Sequence, residues 1–185
     1  MEKENKLTVE KANKVRRIIR YSVAGVTIIL LLFLLIEGYK FYILSPEKLY
    51  AENYTSYELT HDGNDSTESN IQKAFREKKY GELINLNRNS VLSIKDIFLT
   101  GLAYLETKDY SRAISSFQVV IADMRDTASV LSDAAEYYLA LAYLQNRDYD
   151  QAIELMNAIQ DDPSHLYTKK FSRKYINRVK RLKWR

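Results

Sequence analysis

The sequence predicts an all-α chain, a solenoid of stacked helix pairs preceded by a single membrane-spanning helix. Three observations carry that expectation. Residues 101–114 and 140–153 repeat one another at a constant offset of 39, with identities at Leu102/Leu141, Ala103/Ala142, Tyr104/Tyr143, Leu105/Leu144, Asp109/Asp148, Tyr110/Tyr149, Ala113/Ala152 and Ile114/Ile153. Self-similarity at a fixed period of about 20–50 residues marks stacked repeats. Each copy also sets two apolar stripes of helical spacing around a polar break. Finally, Tyr21–Ile36 runs 16 residues without a charge.

The N-terminal elements follow from charge and hydropathy. Residues 1–17 form a short basic tail and residues 18–44 an anchor helix. The uncharged run spans roughly 24 Å at ~1.5 Å per residue, slightly less than a ~30 Å hydrocarbon core. Arg20 can snorkel at one end, and Tyr39, Phe41 and Tyr42 suit an interfacial belt at the other. A cleaved signal peptide is the competing reading, but no small-residue cleavage site follows the run. Lys11, Lys14, Arg16, Arg17 and Arg20 flank the span before it, against Lys40 and Lys48 after it. The positive-inside rule therefore puts the N-terminus in the cytoplasm and the rest outside, as a single-pass membrane protein.

Residues 45–68 read as an acidic spacer. Ser45-Pro46-Glu47 is a helix start, with Ser as N-cap and Pro at the first helical position. A short helix carrying Leu49, Tyr50 and Tyr54 precedes an exposed turn at His61–Ser66. Two readings stand for this Tyr-rich segment: a spacer that holds the solenoid off the membrane, or a docking strip or strand that folds back into the repeat groove. Asn53 and Asn64 each open a glycosylation sequon, which matters only in a secretory-pathway host.

Residues 69–162 hold about three helix pairs. The first, 69–89, is degenerate: Ile71, Ala74 and Phe75 lie before Tyr80, and Leu83 stands where Ala is expected. Terminal repeats are often atypical because one face is capped. The clear pairs are 95–107 with 110–122, and 130–146 with 149–159. Gly101 or Ala140 on the first helix, and Ala113 or Ala152 on the second, let antiparallel helices approach closely. Tyr104/Tyr143 and Tyr110/Tyr149 fill the space around the turn.

This pattern resembles the tetratricopeptide repeat. The positions that carry the likeness are Gly101, Tyr104, Tyr110, Ala113 and Phe117, then Ala140, Tyr143, Tyr149, Ala152 and, less faithfully, Met156. The departures are the 39-residue spacing instead of about 34 and the absence of an aromatic early in the first helix, where Ile97 and Glu136 stand. The extra residues are expected in the connection Asp123–Ser132. The resemblance implies a concave groove lined by the first helices, here Phe98, Leu102, Leu105 and Glu106, then Tyr137, Leu141, Leu144 and Gln145. Such a groove takes a peptide segment or helix of a partner.

Residues 163–185 are expected to be a basic capping helix, started by Asp162 as N-cap and Pro163. Its stripe is Leu166, Tyr167, Phe171, Tyr175, Val179 and Leu182. Residues 164–185 carry nine basic and no acidic groups, whereas 69–163 sum to −4. The basic pI of the whole chain therefore comes from its two ends and does not argue for nucleic acid. The helix either closes the solenoid or, in addition, meets anionic lipid.

Catalytic and metal chemistry find no support. There is no cysteine. His61 and His165 lack a second ligand at metal spacing, and no phosphate loop or nucleophile elbow is present. No cofactor is expected. Taken as a whole, the layout resembles membrane-anchored tetratricopeptide-repeat proteins of Gram-negative-type envelopes. It implies a periplasmic scaffold or chaperone-like adaptor; the alternative is a structural subunit packed permanently in a larger membrane assembly.

Overall fold

In the computed structural model the described residues are 2–59, 69–87, 92–123 and 130–184, and among them every regular element is a helix. The chain divides into two compact units, Met1–Leu44 and Ser45–Arg185.

The first unit is one helix, α1 (Glu2–Tyr42). Within it Arg20–Tyr39 is long and apolar enough to cross a membrane, and none of that stretch is buried. Thr27, a polar group in the run, donates its hydroxyl to the Val23 carbonyl at 2.8 Å, so it needs no water. The tail expected before residue 18 is helical and continuous with the span.

The second unit begins with α2 (Pro46–Asn53), capped as its sequence dictates. The Ser45 side chain accepts from the Lys48 amide, and Pro46 occupies the first turn. Three helix pairs follow: α3 (Asn70–Arg76) with α4 (Tyr80–Asn87), α5 (Ile94–Glu106) with α6 (Tyr110–Asp123), and α7 (Val130–Asn146) with α8 (Tyr149–Asp161). Consecutive helices pack on one another from α3 to α8, and α8 packs on α9 (Arg173–Leu182). The turn expected at His61–Ser66, and residues 124–129 of the inter-repeat connection, lie outside the described residues.

The three pairs share one reversal. Lys78, Lys108 and Arg147 each adopt a left-handed backbone, with φ of 56°, 63° and 68°. The next amide bonds back five residues in each case: Lys79 to the Ala74 carbonyl, Asp109 to Tyr104 and Asp148 to Tyr143. This is the hydrogen-bond pattern of a Schellman cap, which satisfies the last carbonyls of the helix. Glycine is the usual occupant of that position; here a basic side chain is used, which suits the negative helix end. The same cap thus recurs in α3–α4 despite its altered sequence. Leu83 is fully buried, like Ala113 and Ala152 of the later pairs.

The longer repeat is accommodated partly inside a helix. α7 has 17 residues against 13 in α5, and at an offset of 39 three of the four extra residues fall at the N-terminal end. The start of α5 is closed by a capping box, with Ser93 accepting from the Asp96 amide at 3.1 Å and Asp96 accepting from the Ser93 amide at 3.3 Å. Ser69, the cap of α3, also donates to Asp96 at 2.8 Å. The first two pairs are thereby pinned at their common end.

Two expectations are corrected here. The last helix does not start at Pro163. The Asp162 carboxylate takes the Ser164 amide at 2.8 Å in a local turn, Asp162 itself closes α8, and residues 163–171 run through turns. The helix starts after Ser172, whose hydroxyl accepts from the Tyr175 amide at 3.2 Å. Its buried stripe is Tyr175, Ile176, Val179 and Leu182, whereas Leu166 is exposed. Second, residues 45–59 are not a spacer. Leu49 is completely buried, and α2 packs on α7 and α9.

Candidate functional site

The residues expected to line the groove are brought together, but not as an open surface. Phe98, Leu102, Leu105, Tyr137, Leu141 and Leu144 are all buried. Glu106 is exposed and Gln145 half-buried, both at the edge. The face of α5 and α7 is covered by the chain's own residues 46–57, referred to below as the strap.

The apolar part of that contact is aromatic. Tyr57 sits edge-on to Phe98 with ring centres 4.9 Å apart, and also meets Phe75 and Tyr138 at 6.4 Å each. Tyr54 meets Tyr138 at 6.2 Å and stacks on Tyr50 at 4.9 Å. On the other flank Tyr137 stacks on Tyr167 at 4.3 Å, with Phe171 at 5.6 Å. Edge-to-face and offset pairs of this kind add to the stabilisation from buried area.

The polar part reads main chain. The Tyr137 hydroxyl donates to the Asn53 carbonyl. Tyr138 donates to the Thr55 carbonyl at 2.7 Å, Gln145 to Pro46 at 3.1 Å, and Tyr175 to Leu49 at 2.8 Å. Burial pushes the Tyr137 phenol up to about 12 and raises those of Tyr138 and Tyr175 as well. All three therefore remain protonated donors across the accessible pH range. Side chains that bond to carbonyls hold a peptide by its backbone, largely regardless of its sequence. At the rim Tyr54 donates to the Glu106 carboxylate, Lys170 to the Thr55 hydroxyl at 2.7 Å, and Arg178 forks onto Glu52. The Arg178 bonds hold the Glu52 carboxyl below its ordinary value.

Of the expected groove residues, Phe98, Glu106, Tyr137 and Gln145 thus touch the strap directly. Tyr138 and Tyr175, which sequence reasoning passed over, carry as much of the contact. Tyr138 could have been found: it stands beside Tyr137 on an alternating Tyr/Leu/Ala helix with no polar neighbour to draw it outward. Tyr175 donates from α9, and nothing in its spacing links it to Leu49.

The repeat-defining residues occupy the helix interfaces. Gly101, Ala113, Phe117, Ala140 and Ala152 are buried, and so is Met156. Tyr104 is buried under the Arg112 guanidinium, 4.7 Å from the ring centre. Tyr143 accepts from Gln118 at 2.9 Å, and Tyr110 and Tyr149 are half-buried.

His165, expected beside a helix start, lies instead in the turns between α8 and α9. Its ring is buried, and Nδ1 accepts from the Tyr167 amide at 3.1 Å. Nε2 has no hydrogen-bond partner. The nearest carboxylate oxygens are Glu136 at 3.6 Å and Asp133 at 4.0 Å. Among the described residues no group of three His, Asp or Glu is placed to hold a metal.

Burial raises the Glu136 carboxyl, with His165 opposing and Asp133 and Asp162 adding to it. A carboxyl whose folded pKa is raised contributes stability that is complete below its unfolded pKa and is lost as pH rises through the folded value. Glu136→Gln is therefore expected to raise the urea midpoint at pH 7 and leave it nearly unchanged at pH 4. Equal shifts at both pH values would show that ionisation of Glu136 is not the cause.

Residues 97–123 and 134–165 match the family model described as tetratricopeptide repeat. No curated protein and no solved structure matches the chain. The two matched stretches coincide with α5–α6 and with α7–α8 and the turns after it. The second unit is accordingly an all-helical body, two of whose helix pairs are similar to tetratricopeptide repeats, a fold whose general use is the binding of other proteins.

Proposed function

We propose that the chain is a membrane-tethered protein-interaction module, acting as a scaffold or chaperone-like adaptor for envelope proteins on the extracytoplasmic, periplasmic side of the inner membrane. The tether is residues 18–44, and the basic flank before the span supports a cytoplasmic N-terminus. The observation that carries the interaction reading is the set of Tyr137, Tyr138, Gln145 and Tyr175 bonds to peptide carbonyls. These residues, with Phe98, Leu102, Leu105, Glu106, Leu141 and Leu144, form a face suited to holding a polypeptide segment. In this state the strap holds it. A partner segment reaches the face by displacing a competitor tethered to the same chain, whose effective concentration is high.

The filled groove supports a second reading, in which the strap stays in place and the body is a structural subunit of a larger membrane assembly. Crosslinking with mass spectrometry in intact membranes separates the two, using wild type and Tyr57→Ala, which removes the ring over Phe98. The adaptor reading expects several substoichiometric partners, with links that rise in Tyr57→Ala. One stoichiometric neighbour, unaffected by the substitution, would favour the structural subunit. Links confined to the chain itself would overturn both.

A further inference from the structure

α9 presents two unlike faces. Tyr175, Ile176, Val179 and Leu182 are buried against the body. The opposite face exposes Arg173, Lys174, Lys180, Arg181 and Lys183, and no acidic residue occurs anywhere between 164 and 185. The body neutralises some of this charge, through Arg178 with Glu52 and Lys183 with Asp150. Lys174 and Lys180, by contrast, form no ion pair among the described residues. Directly after the helix comes Trp184, the sole tryptophan of the chain, 84% exposed.

An exposed indole directly after the helix that carries the Lys174 and Lys180 ammonium groups matches one kind of surface closely. Tryptophan partitions to the headgroup level of a bilayer, and clustered lysine and arginine are drawn to anionic headgroups. Because the apolar stripe of α9 is already occupied by the body, the helix has no free apolar face to sink into a bilayer. Only its charges and the indole are available. We infer that α9 and Trp184 form a peripheral contact site for anionic lipid headgroups. This rests on the proposed tether, since α2, on which α9 packs, begins seven residues after the end of the candidate span. That connection also favours lipid over an acidic polypeptide or a nucleic acid.

Trp184 is its own reporter. The full chain is placed in nanodiscs of phosphatidylcholine alone or of phosphatidylcholine mixed equally with phosphatidylglycerol, each with acyl-brominated lipid as quencher. In the anionic discs the emission is expected to shift to shorter wavelength, with roughly severalfold more quenching than in the neutral discs. The difference should vanish in Lys174→Glu/Lys180→Glu and in ~1 M salt, where the screening length falls to about 3 Å; Lys174→Arg/Lys180→Arg should retain it. Solvent-like emission in both discs, or equal quenching in both, would overturn the inference. So would a shift produced only by added RNA or an acidic polypeptide. A chain that fails to enter discs at all overturns the tether reading instead. In that case flotation of the free chain with phosphatidylglycerol vesicles, but not with phosphatidylcholine vesicles, still supports the α9 contact, and absence of flotation removes it.

Discussion

Leu49→Ala is expected to destabilise the repeat body by about 2–5 kcal/mol, the range for truncating a fully buried leucine that leaves a cavity. The side chain has no exposed surface, although it lies in a stretch whose composition reads as a tether. The loss extends beyond the missing methyl groups. The backbone of the same residue accepts from Tyr175, and the neighbouring carbonyls accept from Tyr137, Tyr138 and Gln145. If the strap loosens, those donors are left in a partly dry groove, and an unpaired buried donor costs about 1–3 kcal/mol. Against a typical total of about 5–15 kcal/mol the change is large. Chemical unfolding of the full chain in detergent, followed by near-ultraviolet circular dichroism of the tyrosine cluster, measures it. A shift no greater than about 0.5 kcal/mol, as for an ordinary surface site, would return residues 46–57 to the status of a spacer.

The second large effect is at Gly101. A methyl group there would lie 2.8 Å from Cε1 and 3.0 Å from Cδ1 of Phe117, and 3.1 Å from Cβ of Ser116. Phe117 cannot yield readily, because its ring is buried between Phe98 at 5.8 Å and Tyr138 at 6.2 Å. Overpacking of this kind costs about 1–3 kcal/mol, which outweighs the roughly 0.5–1 kcal/mol that alanine gains over glycine within a helix. The second repeat shows the complementary solution. At the equivalent positions it has Ala140 and Met156, both fully buried, and methionine is an unbranched side chain that adapts its shape. Gly101→Ala is therefore expected to destabilise, and Gly101→Ala/Phe117→Met to recover most of the loss. A double-mutant cycle on unfolding midpoints gives the coupling, expected at about 0.5–3 kcal/mol for residues in contact. Strict additivity would show that the ring is not the obstacle.

Much of the fold was legible because it is written in local signals. Ser45 and Pro46 announce α2, the doubled Tyr-Leu…Asp-Tyr…Ala-Ile stretch announces α5–α8, and the uncharged run announces the apolar helix. The start of α9 is ambiguous in the sequence because Asp162-Pro163 serves a helix start and a turn equally well; Ser164, which offers both an amide and a hydroxyl to the Asp162 carboxylate, selects the turn. The candidate site was legible on one side only. Helical spacing marks Phe98 and Tyr137 as neighbours on the inner face of α5 and α7. What covers them depends on contacts between residues far apart in the chain, with polar bonds made to carbonyls that every residue possesses. Such bonds leave no side-chain signature in the strap. Its tyrosines were visible, but nothing local distinguishes a Tyr that returns to Phe98 from one that faces solvent.

The tie between Tyr175 and Leu49 joins positions 126 apart in sequence, and Gln145 reaches Pro46 across 99. An open solenoid has contacts only between neighbouring units, so it can lose a terminal unit and keep the rest. Here α2 and α9, the first and last helices of the second unit, meet. Melting of that unit should therefore be a single cooperative event rather than a fraying from one end. During synthesis the strap emerges long before Tyr137 and Tyr175 exist, and it must wait until α7 and α9 have been made. Completion of the C-terminal helix is thus the step that locks the array, and a chain truncated before α9 loses more than the length removed.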